Sequence, residues 1–433
     1  MKRVFLHLML IVLSSSVVAQ EALTITQCYE LARTNYPLIK RYALIDKTEQ
    51  YNLSNAGKGW LPQLAINAKA SYQSNVTKLP FDTEKISTMI PGFSVPTLSK
   101  DQYQVVAEIN QTIWDGGIIH STRELSRTQA IADREQLESD LYLLNERVNQ
   151  LYFGCLLQDE LLKQNGLLQK ELQINIDRIK TMINNGVANE SDRKSLEVEL
   201  LNASQREIEI KANREAYRLI LGTLIGKEIS GYTLLSPGIT SPPSPLSTRE
   251  GEINRPELRA LEAQKELADM QNKQINAGLM PRIGLFVQGG YGRPGLNMLK
   301  DGFEPFYVAG VRFSWNIGKL YTLKTDRKRV ETSMNFIDLQ REIFLFNTSL
   351  DMLRQNTEIK KIDDLLAADK QIVDLRTSIK KAAEVKLENG VISVTDLIRE
   401  INAEDFAKQN VATHRIQKLM AIYNLIYTTN NSN

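Results

Sequence analysis

The two halves of this chain carry the same landmarks in the same order. In each half an early proline is followed 25 residues later by a second proline that precedes a strand-like run, at Pro37 and Pro62 and again at Pro256 and Pro281. Further on, each half has an Asn-Gly-Val sequence with an aspartate six residues after its glycine, which is Gly186 or Gly390. Matches that keep order and spacing over this length indicate one supersecondary unit that has been duplicated and fused.

The amino terminus predicts export. Lys2 and Arg3 precede an apolar run, 4–18, and small residues then lead to an expected cut before Gln20. Residues 1–19 therefore indicate a secretory signal peptide, because the apolar run is too short to span a membrane and a polar segment follows it. The alternative is an uncleaved anchor. Since no cysteine follows the cut, we expect no lipid anchor.

Composition argues against several classes of function. The chain has 53 Lys+Arg and 51 Asp+Glu, and loss of Lys2 and Arg3 leaves 51 of each. A neutral mature chain argues against a nucleic-acid partner, because phosphate binding needs a basic surplus. Cys28 and Cys155 lie in helical patterns, so we expect small core residues rather than a disulfide. The three histidines are scattered without metal-ligand spacing. We therefore predict no enzyme, no cofactor and no metal site.

Long apolar stripes predict coiled helices. From Leu137 to Ile183, positions spaced alternately by four and three residues are mostly apolar, and this phase persists to Gly186. A 3.5-residue period of this length indicates supercoiled packing against another helix. The second half begins a similar stripe, with Phe336, Leu339, Ile343, Phe346, Leu350 and Leu353.

Segment lengths favour a tube wall over a globular core. Between Gly117 and Gly186 there is room for about 68 helical residues, roughly 100 Å at about 1.5 Å per residue. The return segment, 191–224, is half as long, and the helical stretch 29–56 supplies the missing half. The second half repeats this inventory with 257–276, 320–388 and 395–427.

Four segments alternate between apolar and polar residues, which predicts strands at about 60–73, 102–114, 281–291 and 306–316. Aromatic residues lie near their ends: Trp60, Tyr72, Tyr103, Trp114, Tyr291, Tyr307 and Trp315. A soluble sandwich would also alternate, but aromatic-edged strands in an exported chain favour an outer-membrane barrel. Four strands cannot enclose a channel, and lipid does not tolerate unpaired edges. Several copies are therefore expected to close the barrel, and three copies would give twelve strands.

These features together resemble the TolC family of outer-membrane factors, the exit ducts of tripartite efflux and type I secretion systems. The resemblance lies in two copies of helix, strand, strand, long helix and short helix, with Leu-Pro or Met-Pro before the strands and the Asn-Gly-Val turn. It implies a membrane α+β fold, in which long antiparallel α-helices form an α-barrel and four transmembrane β-strands per chain close a trimeric 12-stranded β-barrel. It further implies a homotrimer in the outer membrane of a Gram-negative bacterium, reaching into the periplasm. The implied partners are a periplasmic adaptor (membrane-fusion) protein, an inner-membrane transporter and outer-membrane lipid.

The resemblance divides the chain after the signal peptide into a first repeat, 20–230, an equatorial linker, 231–255, and a second repeat, 256–433. The segment 74–100 is expected to be the longer external loop. The Asn-Gly-Val turns would be the periplasmic tips and the contact with the adaptor, through Gly186, Val187, Gly390 and Val391.

The resemblance also implies a gate. Family members place an aspartate six residues after the second tip glycine, where it lines the aperture, and Asp396 matches that position. Three such carboxylates in a ring would attract cations. Arg399 stands where some members have a second Asp, and Ile392 where some have an Arg, so closure is expected to be more hydrophobic here. Asp192 is the first-repeat counterpart, either part of the gate or a helix-start carboxylate favoured by the helix dipole.

The predicted function is a passive export duct, gated at the helix tips, for small molecules or secreted polypeptide. The alternative is a structural periplasmic coiled-coil spacer or an adhesin stalk. The alternative explains the helices but leaves the paired, aromatic-edged strands without a role.

Overall fold

The structure, a computed structural model, describes residues 22–77, 86, 89–90, 98–238 and 253–430. The expected signal peptide, much of the loop 74–100 and the middle of the linker lie outside these residues. Contacts between Cα atoms divide the chain into two compact units. The first comprises the described parts of Met1–Ile39, Glu138–Pro256 and Ile343–Asn433, and the second those of Lys40–Leu137 and Glu257–Glu342.

The longer helices of the described residues number eight. They are α1 (Ile25–Asn35), α2 (Arg41–Gly57), α3 (Ile118–Tyr142), α4 (Leu144–Asn184), α5 (Glu190–Ile225), α6 (Pro256–Ala277), α7 (Leu320–Glu388) and α8 (Val394–Thr429). The strands are β1 (Ala22–Leu23), β2 (Gln63–Tyr72), β3 (Asp101–Trp114), β4 (Thr233–Leu234), β5 (Arg282–Arg293) and β6 (Glu304–Ser314).

The two long helices differ. The second, α7, runs for 69 residues without a break. The first is divided at Leu143 into α3, of 25 residues, and α4, of 41 residues. The stretch before β2 is also divided, because a 3₁₀ turn at Pro37–Lys40 separates α1 from α2. Proline has no backbone N–H to donate within a helix, which explains the interruption at Pro37.

The core of the first unit lies where α1, α4 and α5 meet the short β1–β4 pair. Cys28, Tyr152, Phe153 and Cys155 are buried there, and both cysteines are free. Burial raises the pKa of each thiol to about 12. The cysteines are therefore small core residues, as predicted.

The two ends of the linker are fixed within this unit. At its beginning, Thr233 and Leu234 pair in parallel with Ala22 and Leu23. At its end, the Asn254 backbone N–H donates to Thr429 O at 3.0 Å. The linker thus leaves from the β1–β4 pair and returns beside the end of α8.

The second unit contains one antiparallel sheet with the strand order β2-β3-β5-β6. Its register brings the predicted apolar positions onto one face. The rows across that face are Leu64, Ile109, Val287 and Ala309; Ile66, Ala107, Gly289 and Tyr307; and Ala68, Val105, Tyr291 and Pro305. The strand ends differ from prediction by up to three residues, since Trp60 lies in a 3₁₀ turn, Lys58–Trp60, and Trp315 follows β6.

Within one chain this apolar face is uncovered. Ile66 is 70%, Val311 68% and Phe313 63% exposed. The apolar stripe of α7 is uncovered as well, from Phe336, 63% exposed, to Leu353, 59% exposed. Exposed apolar surfaces of this extent mark contact with another chain or with lipid. No helix among the described residues is both long and apolar enough to cross a membrane.

Candidate gate at the two helix turns

The two tip turns have the same backbone geometry. Between α4 and α5, Gly186 has φ 74°, and between α7 and α8, Gly390 has φ 68°. In the first turn the N–H of Val187 donates to Met182 O at 2.9 Å, and in the second that of Val391 donates to Lys386 O at 2.8 Å. This six-residue closure around a left-handed glycine is the Schellman motif, which satisfies the last carbonyls of a helix. The duplicated Asn-Gly-Val sequence therefore folds into duplicated turns.

The two candidate aspartates cap the helices that leave the turns. In α5 the Asp192 backbone N–H donates to Asn189 Oδ1, and the Asn189 N–H donates to Asp192 Oδ2, both at 3.1 Å. In α8, Ser393 and Asp396 exchange the equivalent bonds at 3.1 and 3.2 Å. Both pairs are capping boxes, with an aspartate in place of the usual glutamate or glutamine. Each carboxylate thus caps the start of a helix within its own chain.

Asp396 also interacts with its neighbours. The Ser393 hydroxyl donates to it at 2.7 Å, and this hydrogen bond, with that from the Ser393 backbone, lowers the pKa of Asp396. The Arg399 guanidinium lies 3.3 Å from the Asp396 carboxylate, with 71% of the Arg399 side chain and 39% of the Asp396 side chain exposed. An exposed pair of this kind contributes little to stability, because solvent screens it. The carboxylate is therefore ionised at neutral pH and reachable by solvent ions.

The apolar residues of the turns separate into two groups. Val187 and Val391 are 61% and 68% exposed, so they present apolar surface at the tips. Ile392 is half-buried and packs inward, on a cluster that includes Leu172, Ile179 and Leu397. The structure thus brings Ile392, Asp396 and Arg399 together at one turn, but Ile392 supports the core behind that turn.

A buried charged network lies behind the second turn, and sequence reasoning missed it. The Lys380 ammonium on α7 lies 2.7 Å from Glu404 on α8 and also pairs with Glu171 on α4. Glu404 is only 1% exposed and accepts further bonds from Thr377, at 2.6 Å, and Lys408, at 3.0 Å. Burial alone would raise the pKa of Glu404, but these donors outweigh it and lower that pKa.

The same network keeps Lys380 charged. Burial opposes its ammonium form, yet hydrogen bonds to Glu171 and Glu404 raise its pKa. Three helices are therefore joined by charges that compensate one another. A signal was present in the sequence, since Lys380 and Glu404 stand 10 residues before and 14 after Gly390. They can therefore face each other across the hairpin.

The fold formed by these helices, strands and paired turns is similar to that of solved outer-membrane channels. Over 94% of this chain the fold matches VceC of Vibrio cholerae, with TM-score 0.64, 13% identity and 96% of that chain covered. It also matches CmeC of Campylobacter jejuni, with TM-score 0.62, 14% identity and 85% coverage of that chain. The open state of MtrE of Neisseria gonorrhoeae matches with TM-score 0.62, 14% identity and 88% coverage of that chain.

The sequence points to the same family. The model of a family described as outer membrane efflux protein matches residues 28–227, which all lie within the predicted first repeat, 20–230. No curated protein matches the sequence. The resemblance to the TolC-family outer-membrane efflux proteins is thus confirmed, in the first repeat by sequence and over 94% of the chain by fold. This family and fold are those of channels rather than enzymes.

Proposed function

We propose that this chain is the outer-membrane exit duct of a tripartite export system. The observation that best supports this proposal is the four-stranded sheet, which has one continuous, uncovered apolar face and one polar face. In a barrel wall the apolar face would contact lipid and the polar face would line a water-filled lumen. The proposed location is the outer membrane, with the helices reaching into the periplasm.

Closure of the barrel would require other copies of the chain. The strands β2 and β6 are the two edges of the sheet, and each can accept one more strand. An open edge in lipid leaves backbone groups without hydrogen bonds, which costs several kcal/mol for each group. We propose a homotrimer with twelve strands, in which the exposed stripe of α7 also contacts a neighbouring copy.

The gate is proposed to lie at the helix turns, with Asp396 of each copy forming a ring that attracts cations. Its low pKa and its exposure to solvent support this role. The exposed Val187 and Val391 beside Gly186 and Gly390 suit contact with a periplasmic adaptor, and an inner-membrane transporter would supply the cargo. Asp192 is proposed to act mainly as the cap of α5.

Single-channel conductance in a planar bilayer tests both proposals. The comparison is wild type with Asp396→Ala, and Ser393→Ala is the matched control, because both substitutions break the capping box and only one removes the charge. We expect wild type to form a low-conductance, cation-selective pore. Asp396→Ala should reduce that selectivity, and Ser393→Ala should keep it.

The possible results separate the parts of the proposal. A pore that is indifferent to Asp396→Ala would retain the duct and remove the gate residue. Loss of selectivity in both variants would mean that the shape of the turn, and not the charge, sets the aperture. Extraction of the protein by carbonate together with no pore would favour the periplasmic spacer or the adhesin stalk.

A further inference from the structure

The polar face of the sheet carries an uneven set of charges. The register of β2, β3, β5 and β6 places five charged side chains on that face: Lys69, Glu108, Arg282, Glu304 and Arg312. Three are basic and two are acidic. Both acids already have basic partners, since Glu108 lies 2.9 Å from Arg312, and Glu304 pairs with Lys300 in the β5–β6 connection. The positive charge of the face is therefore in excess.

Arg312 is held in place from three sides. Its Nη1 donates to Glu108 Oε1 at 2.9 Å and to Asn110 Oδ1 at 3.0 Å, and its guanidinium carbon lies 4.7 Å above the Phe286 ring. Phe286 in turn lies over Gly310, where an added Cβ would be 3.1 Å from the ring. Even so, 49% of the Arg312 side chain stays exposed. The guanidinium is thus oriented and still open to solvent.

Arg282 is the diagonal neighbour of Arg312 on the adjacent strand. Gly284 pairs with Arg312, and Arg282 pairs with Ser314. The two arginine side chains therefore leave the same face of the sheet, and their Cα atoms are about 7–8 Å apart. Neither Arg282 nor Lys69 has an ion pair within the residues that the structure describes. Arg282 is therefore an exposed cation without a carboxylate, beside a second, oriented arginine.

Both arginines line one cavity of about 300 Å³, together with Asn110, Ser314 and Gly284. Gly284 contributes no side chain to it. One carboxylate, Asp115, also lines the cavity, but it accepts the N–H of Gly117 at 2.8 Å and that of Ile119 at 2.6 Å. Because these donors stand at the start of α3, the helix dipole offsets part of the Asp115 charge.

We propose that this cavity is a binding site for multivalent oxyanions, with Arg282 as the main ligand and Arg312 as the second. A guanidinium fork matches the geometry of carboxylate, phosphate or sulfate oxygens and can bind two of them at once. Asn110 and Ser314 add neutral hydrogen-bonding groups. The placement of this site in the lumen rests on the proposed duct, which would then favour anionic solutes at this level.

Binding of pyrophosphate to the purified full chain in mild detergent, measured by calorimetry, tests the site directly. We expect wild type to bind, and Arg282→Gln to bind about tenfold more weakly or worse, because a charge-assisted pair is lost. Arg282→Lys should fall between them, since it keeps the charge but loses the fork. Arg329→Gln, which removes a charge that is 81% exposed on α7, is the control and should match wild type.

A second measurement is the block of single-channel current by pyrophosphate added from the barrel side. Block that Arg282→Gln relieves and Asp396→Ala leaves unchanged would support a luminal anion site separate from the gate. A conducting pore with neither binding nor block would overturn the site and retain the duct. Binding that depends on Arg282, without any pore, would overturn the duct and retain the site.

Discussion

Lys380 links three helices behind the second turn through ion pairs with two carboxylates. Its ammonium compensates Glu404, which is almost fully buried, and Glu171. We expect Lys380→Met to lower the free energy of unfolding by up to about 3–5 kcal/mol, because the buried Glu404 carboxylate then keeps only Thr377 and Lys408 as partners. Denaturant unfolding in mild detergent, followed by the helical circular dichroism signal, measures this loss.

A double substitution and a surface pair provide the controls. Lys380→Met with Glu404→Leu should recover much of the loss, since replacing both partners by apolar groups is far less costly than removing one. Lys211→Met breaks an exposed pair with Glu207, 59% and 30% exposed, and should cost far less than Lys380→Met, because exposed ion pairs contribute little to stability. Equal losses of unfolding free energy in Lys380→Met and Lys211→Met would show that the buried network stabilises the protein no more than an exposed ion pair does.

Neutralising Asp405 should stabilise the protein, in contrast to Lys380→Met, and the gain should depend on pH. Burial raises its pKa, and Arg206, at 3.3 Å, and Gln409 only partly oppose this. A raised carboxyl pKa contributes stability below the unfolded value of 3.8, which is lost as the pH rises through the folded value. We therefore expect Asp405→Asn to raise Tm at pH 7, with a gain that disappears as the pH approaches 3.8.

The effect of Asp396→Asn on Tm should have the opposite sign: a loss at neutral pH that disappears as the pH falls. The pKa of Asp396 is lowered by Ser393, so its contribution is present at neutral pH and is lost as the pH falls through the folded pKa. Tm measured for both variants from pH 7 to below 3.8, the unfolded pKa of both carboxyl groups, makes the comparison. A Tm for Asp405→Asn below that of wild type at pH 7 would mean that the ion pair with Arg206 outweighs the cost of burial.

At the level of elements, the tip turns depend on their glycines. Gly390 has a positive φ, which an L-residue adopts at a cost of roughly 1–2 kcal/mol. Gly166 lies within α4 with nothing within 4 Å of an added Cβ, so alanine there should add about 0.5–1 kcal/mol of stability. We therefore expect Gly390→Ala to destabilise and Gly166→Ala to stabilise.

Hydrogen exchange locates the effect of the first substitution. Amides of the second turn should exchange faster in Gly390→Ala, because the Val391 N–H loses its closure to Lys386. Amides in the middle of α7 should be unchanged. Uniform acceleration along α7 would indicate that the glycine governs the whole hairpin and not only its turn.

The elements show what sequence could and could not reveal. The tip glycines and the apolar period predicted the ends of α4 and α7, because those signals are local. The break at Leu143 has no proline or glycine nearby to mark it. The inward packing of Ile392 and the network around Lys380 depend on which helices become neighbours, and periodicity alone does not specify that. Likewise, an aspartate that caps a helix and one that lines an aperture have the same sequence signature.

At the level of the whole molecule, the exposed faces of one chain predict how copies assemble. The edges β2 and β6 run in opposite directions within the sheet, so β6 of one copy would meet β2 of the next in antiparallel order. Directly opposite residues on one face of such a pair have Cβ atoms about 4.5–5.5 Å apart. A disulfide needs Cβ atoms about 3.5–4.5 Å apart, so directly opposite cysteines can form one after a small movement and report the contact.

We expect a cysteine at Ala309 on β6 to cross-link with a cysteine at one position of the apolar face of β2, among Leu64, Ile66 and Ala68. Cysteines on the polar face, at Ala65, Asn67 or Lys69, should not cross-link, because their side chains point to the opposite side of the sheet. Cys28 and Cys155 add little background, since burial raises their pKa values to about 12 and keeps them as thiols. Denaturing gels should show a covalent ladder that ends at three chains. A ladder that ends at two, or cross-links from the polar face alone, would contradict the twelve-stranded barrel.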